Sequence, residues 1–365
     1  MKKKVFVFAV ILQFVFVSLA FSLARPDMEF KIFQFPKNKI PVIDGKTNDW
    51  DIVPNSYNIG LDQLQDSEKN HPLDKKDFDI NVKVGWVNGL DRLYFLVEAY
   101  DDYWNFEKVD STNDIFELVV DGDLSGGPLI NDYRKDKLDW WSGYSLFHGV
   151  HAQNYHINIP AKEKSWAMVW GCQPWINELP WANGEYNYNF KQGESGKLVL
   201  EFWITPFDYA PYDGPARAVV SKLKENGVIA LSWAIIEVDE KDSMEAFYNL
   251  SHVTTMDGNA SDFVAFRLMP PEKEFVKPIE AEWSFKIVDM DTRTVAFLDK
   301  SKGNITKWLW DFGDGTTSAE QNPVHEYEKG KGYYTTTVLT VEGPGGKSKM
   351  SKPWDVAIKN PEPPK

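Results

Sequence analysis

The chain has 365 residues, 43% hydrophobic and 15% aromatic, which is long enough for two domains and apolar enough to fill their cores, so wholesale disorder is excluded. A formal net charge of −14 argues against a nucleic-acid or anionic-membrane partner. The one cysteine, Cys172, excludes an intramolecular disulfide, so stability must come from packing, helped by a metal where one binds.

Lys2, Lys3 and Lys4 precede an apolar run from Val5 to about Leu19, and Ser22-Leu23-Ala24 offers small residues for cleavage. Residues 1–24 are therefore expected to be a bacterial-type secretory signal peptide, directing the protein outside the cell, to the periplasm or to the cell surface. Its removal takes away those three lysines and no acidic residue, moving the net charge from −14 to −17. No second long apolar run follows, so no membrane span is expected.

Residues 25–40 read as a short leader. Pro41 to Trp50 then carries an Asp44-Gly45 turn and a Trp-anchored corner. From Asp79 to Val87, Ile80, Val82, Val84 and Trp86 alternate with polar residues, which predicts a half-buried strand. Asn88-Gly89-Leu90-Asp91 turns the chain into an antiparallel mate, Leu93–Ala99. A further strand from Asp114 ends at Asp121-Gly122-Asp123.

The stretch from Asp139 to Asn183 holds six of the fifteen tryptophans: Trp140, Trp141, Trp166, Trp170, Trp175 and Trp181. They are mixed with His148, His151, Gln153, Asn154 and His156. Flat apolar rings beside fixed hydrogen-bonding groups suit a sugar, which stacks its C–H faces and needs partners for its hydroxyls. Against this stands the ordinary fate of Trp in a β protein, which is core. His151–Ile159 and Trp166–Cys172 are expected to form a hairpin. Even pairing puts Tyr155, Ile157 and Ile159 on one core face with Trp166, Met168, Trp170 and Cys172, and leaves Asn154 and His156 on the other. Sugar stacking then falls to Trp175 and Trp181 in a Pro-rich loop, with Trp141 beside them and Asn154 and His156 as hydrogen-bonding partners. A one-residue slip inverts both faces.

Strands at Lys197–Ile204, Val228–Val238 and Asp262–Leu268 complete a sandwich spanning residues 41–268, and residues 269–280 form a Pro-rich linker. Trp308-Leu309-Trp310-Asp311-Phe312-Gly313-Asp314-Gly315, then Asn322-Pro323-Val324-His325-Glu326-Tyr327 and the alternation of Tyr334–Val341, mark a second domain at residues 281–359, with a tail at 360–365.

Two resemblances follow. Ile43-Asp44-Gly45 with Asp49-Trp50, Leu93–Ala99 running to Asp101-Asp102, and Asp114-Ile115-Phe116-Glu117-Leu118 to Asp121 resemble the family 9 carbohydrate-binding modules and the wider DOMON-like group. The resemblance implies a β-sandwich that binds saccharide, often stiffened by calcium and often attached to polysaccharide-degrading proteins. The second domain closely resembles the PKD repeat, which implies a small immunoglobulin-like sandwich acting as spacer or adhesive surface. The fold class is accordingly all-β.

Asp101, Asp102, Asp114, Asp121 and Asp123 lie at strand ends, where oxygen ligands can converge on a structural calcium, although solvated strand ends look the same. His148, His151 and His156 lack a zinc-site spacing. Glu178, Glu185 and Glu201 lie near the Trp-rich stretch, but sequence places no carboxyl pair at a glycosidase distance. The reading is a secreted, non-catalytic module capturing poly- or oligosaccharide in support of its catabolism. The alternatives are a glycoside hydrolase or polysaccharide lyase on the same sandwich, or an adhesion module whose ligand is protein.

Overall fold

The computed structural model describes residues 23–108, 113–127, 138–161, 166–239, 243–328 and 334–357. The chain divides into two compact units, with the boundary between Pro270 and Pro271. No helix among the described residues is long and apolar enough to cross a membrane.

The main strands of the first unit are β1 (Glu29–Gln34), β2 (Phe78–Trp86), β3 (Leu93–Asp101), β4 (Ile115–Asp121), β5 (Gln153–Asn158), β6 (Ala167–Val169), β7 (Ala182–Asn187), β8 (Gly196–Ile204), β9 (Val228–Glu237), β10 (Ala246–Asn249) and β11 (Val264–Leu268). One sheet runs β6-β5-β4-β9-β11-β1, and the other runs β1-β2-β3-β8-β7. β1 belongs to both: Glu29–Ile32 pair with β11, and Phe33 and Gln34 pair with β2. The sandwich therefore takes in residues that the sequence left in the leader. Leu23 packs on the Met256–Phe263 cluster and the Ala24 amide donates to the Phe263 carbonyl at 2.9 Å. The rest of the expected signal peptide lies outside the described residues.

Alternation makes the core. Val82, Val84, Phe95, Val97, Leu200 and Phe202 face inward from one sheet. Phe116, Leu118, Leu231, Trp233 and Ile235 meet them from the other. Phe95 stacks on Phe202 with centroids 4.6 Å apart, and Phe116 reaches Phe202 across the interior at 6.2 Å. Strand β4 is buried at all seven positions, because its outward face is also covered, by Met256, Ala260 and Phe263.

The Asp44-Gly45…Trp50 corner has a clear anchor. Glu201 on β8 accepts the Trp50 indole N–H at 2.8 Å and the amides of Asp44 and Lys46 at 3.1 Å each. Gly45 sits at φ +72°, and a Cβ there would lie 2.9 Å from the Tyr186 backbone, so both conformation and space require glycine.

A helix, α1 (Trp140–Phe147), interrupts the expected all-strand run, capped by the Asp139 side chain on the Ser142 amide at 3.0 Å. The β5–β6 pairing also departs from expectation by one residue. Tyr155 faces Val169, Ile157 faces Ala167 and His156 faces Met168. Ala167 is small enough to lie under the inward Ile157, which sends the larger Met168 and Trp170 to the His156 face.

The second unit pairs β12 (Trp283–Asp289), β13 (Thr294–Asp299), β14 (Lys307–Asp311), β15 (Thr317–Ser318), β16 (Val324–Glu326), β17 (Tyr334–Gly343) and β18 (Gly346–Ala357) into sheets ordered β12-β13-β16 and β15-β14-β17-β18. Trp283, Phe297, Trp310, Phe312 and Leu339 form its core, as the inward alternation of Trp310 and Phe312 requires. The turn after Phe312 is tied by Asp314, which contacts His325 Nε2 at 2.7 Å and accepts the Thr316 amide at 3.0 Å.

Candidate functional site

The outward face of β4 and β5 carries a polar group that no core needs. Glu117, buried in the middle of β4 between apolar neighbours, lies 3.2 Å from His156 Nε2 and accepts the Asn154 side-chain N–H at 2.9 Å. Burial alone would raise its pKa, but the hydrogen bond and charge of His156 and the bond from Asn154 outweigh that and hold the carboxyl below its ordinary value. The Trp170 ring lies parallel to His156, with centroids 4.8 Å apart and planes 4° from coplanar. Tyr144 from α1 meets Trp170 edge-on at 6.2 Å and stacks on His148 at 4.6 Å. Trp141, 71% exposed, packs its edge on Tyr144.

Several atoms here lack partners. Asn154 Oδ1, His156 Nδ1 and both ring nitrogens of His148 are buried with no hydrogen bond. Burial pushes the His148 pKa down to about 4, so its imidazole is neutral at ordinary pH. These buried polar atoms, lying beneath the exposed Trp170 with Trp141 at the edge, are able to hydrogen-bond hydroxyl groups.

Of the residues singled out for sugar, Asn154 and His156 meet at this site and Trp141 stands at its edge. Trp175 and Trp181 do not join it. They meet each other edge-on at 5.9 Å, pack on Phe207 at 5.2 and 5.4 Å, and Trp175 donates its indole N–H to the Pro211 carbonyl. The premise that these loop tryptophans have no packing role is thus corrected. Trp170, expected in the core, is 40% exposed instead. The signal that could have found Glu117 is a carboxylate in the middle of an apolar run, Phe116-Glu117-Leu118.

The acidic set splits between the two ends of β4, about 20 Å apart. Asp121 accepts the amides of Asp123, Ser125 and Gly126, and Asp123 is used in the same turn. At the other end, Asp101 and Asp102 join three carboxylates not foreseen. Oxygens of Asp77, Asp102 and Asp239 lie within 4.8 Å of one another, as do those of Asp101, Glu237 and Asp239. Asp114 is adjacent, accepting the Asn105 amide at 2.6 Å and the Val238 amide at 3.0 Å. Burial first, then neighbouring carboxylates, pushes Asp101 up to about 7, Glu237 to about 9 and Asp239 to about 6. Asp77 Oδ2, Asp101 Oδ2, Glu237 Oε2 and Asp239 Oδ1 are buried without a hydrogen-bond partner. Such an all-oxygen donor set fits a hard divalent cation.

Fold and site together define an all-β protein of two units, the first displaying aromatic rings over a buried polar layer. Residues 279–358 match the model of the PKD domain family. Over 47 residues the chain is 49% identical to collagenase ColQ1 of Bacillus cereus, a match covering 13% of this chain and 5% of that protein. Over 80 residues it is 31% identical to the pre-pro-metalloprotease PrtV of Vibrio cholerae, covering 22% of this chain and 9% of that one. The chain thus spans under a tenth of the length of either relative. Among solved structures, it is similar to a family 9 carbohydrate-binding module from Caldicellulosiruptor kristjanssonii in complex with cellotriose. That similarity has a TM-score of 0.44 and 15% identity over 69% of this chain and 98% of the module.

Proposed function

We propose that the first unit is a saccharide-binding module, exported and serving carbohydrate breakdown alongside degrading enzymes, with the second unit as spacer or adhesive surface. The observation carrying this reading is the exposed Trp170 ring stacked on His156, which is itself held by buried Glu117. A sugar ring stacks on Trp170 and Trp141 while the buried polar layer, reached directly or through water, sets its orientation. A non-catalytic role is favoured because Glu117 is committed to His156 and Asn154. A glycan array followed by calorimetry of each hit, with cellotriose included, tests the reading. Trp170→Ala is expected to weaken binding by about 1–3 kcal/mol with an unchanged melting temperature. No array hit, or full affinity in that variant, rejects this face; shortened products in the incubation move the assignment to a hydrolase or lyase.

A second reading rests on its own observation. The partnerless oxygens of Asp77, Asp101, Glu237 and Asp239 support a reading of this cluster as a structural calcium site, with Asp102 as a further ligand. Calcium bound only by the folded state adds about 2.7 kcal/mol at a hundredfold excess over its dissociation constant. Equal melting temperatures in calcium and in chelator remove it.

A further inference from the structure

The other sheet carries a groove of about 240 Å³ on its outward face, lined by Asp79, Asn81, Glu98, Tyr100, Lys197 and Val199. Strand pairing arranges these in two rows. Asp79, Tyr100 and Lys197 lie side by side across β2, β3 and β8, and Asn81, Glu98 and Val199 form the next row. Each row spans two interstrand spacings, about 10 Å, which is room for more than one sugar ring.

The floor is rigid, because the alternate residues Ile80, Ala99 and Leu198 are core. The rim is uncommitted. Asp79 is tied to Lys75 at 3.4 Å, but the side chains of Asn81, Glu98, Tyr100 and Lys197 make no hydrogen bond or ion pair with any described residue. Lys197 and Asp79 flank Tyr100 across the strands and Glu98 lies in the next row; with Asp79 tied to Lys75, Glu98 and Lys197 leave one charge of each sign, so the groove favours neither a polyanion nor a polycation. Amide, carboxylate and ammonium together donate and accept, as hydroxyls require. A central aromatic ring offers the stacking face.

We propose that this groove binds a neutral oligosaccharide chain, with Tyr100 stacking on one ring and Asn81, Glu98 and Lys197 holding hydroxyls on either side of it. The groove and the Trp170 face lie on different sheets, so the two sites stand or fall separately.

The test is calorimetric titration of the full chain with the cello-, xylo- and manno-oligosaccharide series and the matching monosaccharides. Binding is expected to strengthen with chain length. Tyr100→Ala is expected to weaken the longer ligands about tenfold or more at an unchanged melting temperature, while Tyr100→Phe retains them and Trp170→Ala leaves this component intact. If Tyr100→Ala unfolds the protein, Asn81→Ala and Glu98→Gln report the same loss from the rim. Full affinity in all three groove variants, or no length-dependent binding by the parent, overturns the proposal. So does self-association in light scattering that Tyr100→Ala abolishes, since the groove would then hold a second copy. Loss in Trp170→Ala alone rejects the groove and keeps the other face; loss in the groove variants alone does the reverse.

Discussion

Two buried glutamates show how differently one residue type is used. Glu201 gathers the Trp50 indole and two turn amides, closing a corner far away in sequence. Glu201→Ala leaves the Trp50 indole and the Asp44 amide without an acceptor, the Lys46 amide keeping Asp44 Oδ1, and is expected to cost about 2–4 kcal/mol in chemical denaturation. A loss under half a kcal/mol, roughly the scatter of surface substitutions, shows the corner held by packing alone. Glu117 instead meets one imidazole and one amide, which is a poor anchor and a good orienting group. The Trp50 corner was legible in the sequence because the turn signal is local. The Glu117 role was not, since its partners come from the next strand.

Among elements, the β5–β6 hairpin and the ends of β2, β3 and β9 carry the two candidate sites. A one-residue shift in β6 moves Trp170 from core to surface, and a period of two gives every such shift that consequence. At the carboxylate cluster, titration links to stability with a definite sign. The unfolded chain releases these protons in the ordinary carboxylate range, whereas folded Asp239, Asp101 and Glu237 hold them up to about 6, 7 and 9. The folded state therefore carries the extra protons, and without a cation stability falls as pH rises through that window. In chelator, melting temperature is expected to drop between about pH 5 and about pH 8, and calcium to restore it at the upper end but matter little at the lower. A melting temperature in chelator that rises with pH contradicts this account.

The whole molecule consists of two units with separate cores, joined where Pro270 meets Pro271. Residues 271–365 hold their own aromatic core of Trp283, Phe297, Trp310 and Phe312. That fragment is expected to melt cooperatively, with the same midpoint as the corresponding transition of the full chain. A fragment without a transition in calorimetry would show that its stability depends on the rest.

Sequence by itself determined the all-β class, the Trp50 corner, the β2–β3 turn and the core of the second unit. Each of these rests on alternation or turn chemistry within a few residues. Tertiary structure decided which tryptophans are spent on packing, which groups the buried Glu117 carboxylate meets, and which acidic residues come together. Trp170 and Trp175 belong to one Trp-rich stretch, and their roles part because Trp175 packs on Phe207 and Trp181 while Trp170 stacks on His156 at an exposed face. Asp121 and Asp101 both end strands, yet one closes a turn and the other faces Glu237 across the fold. Burial and pairing at long range are properties of the closed sandwich, and no local pattern encodes which distant side chain will arrive.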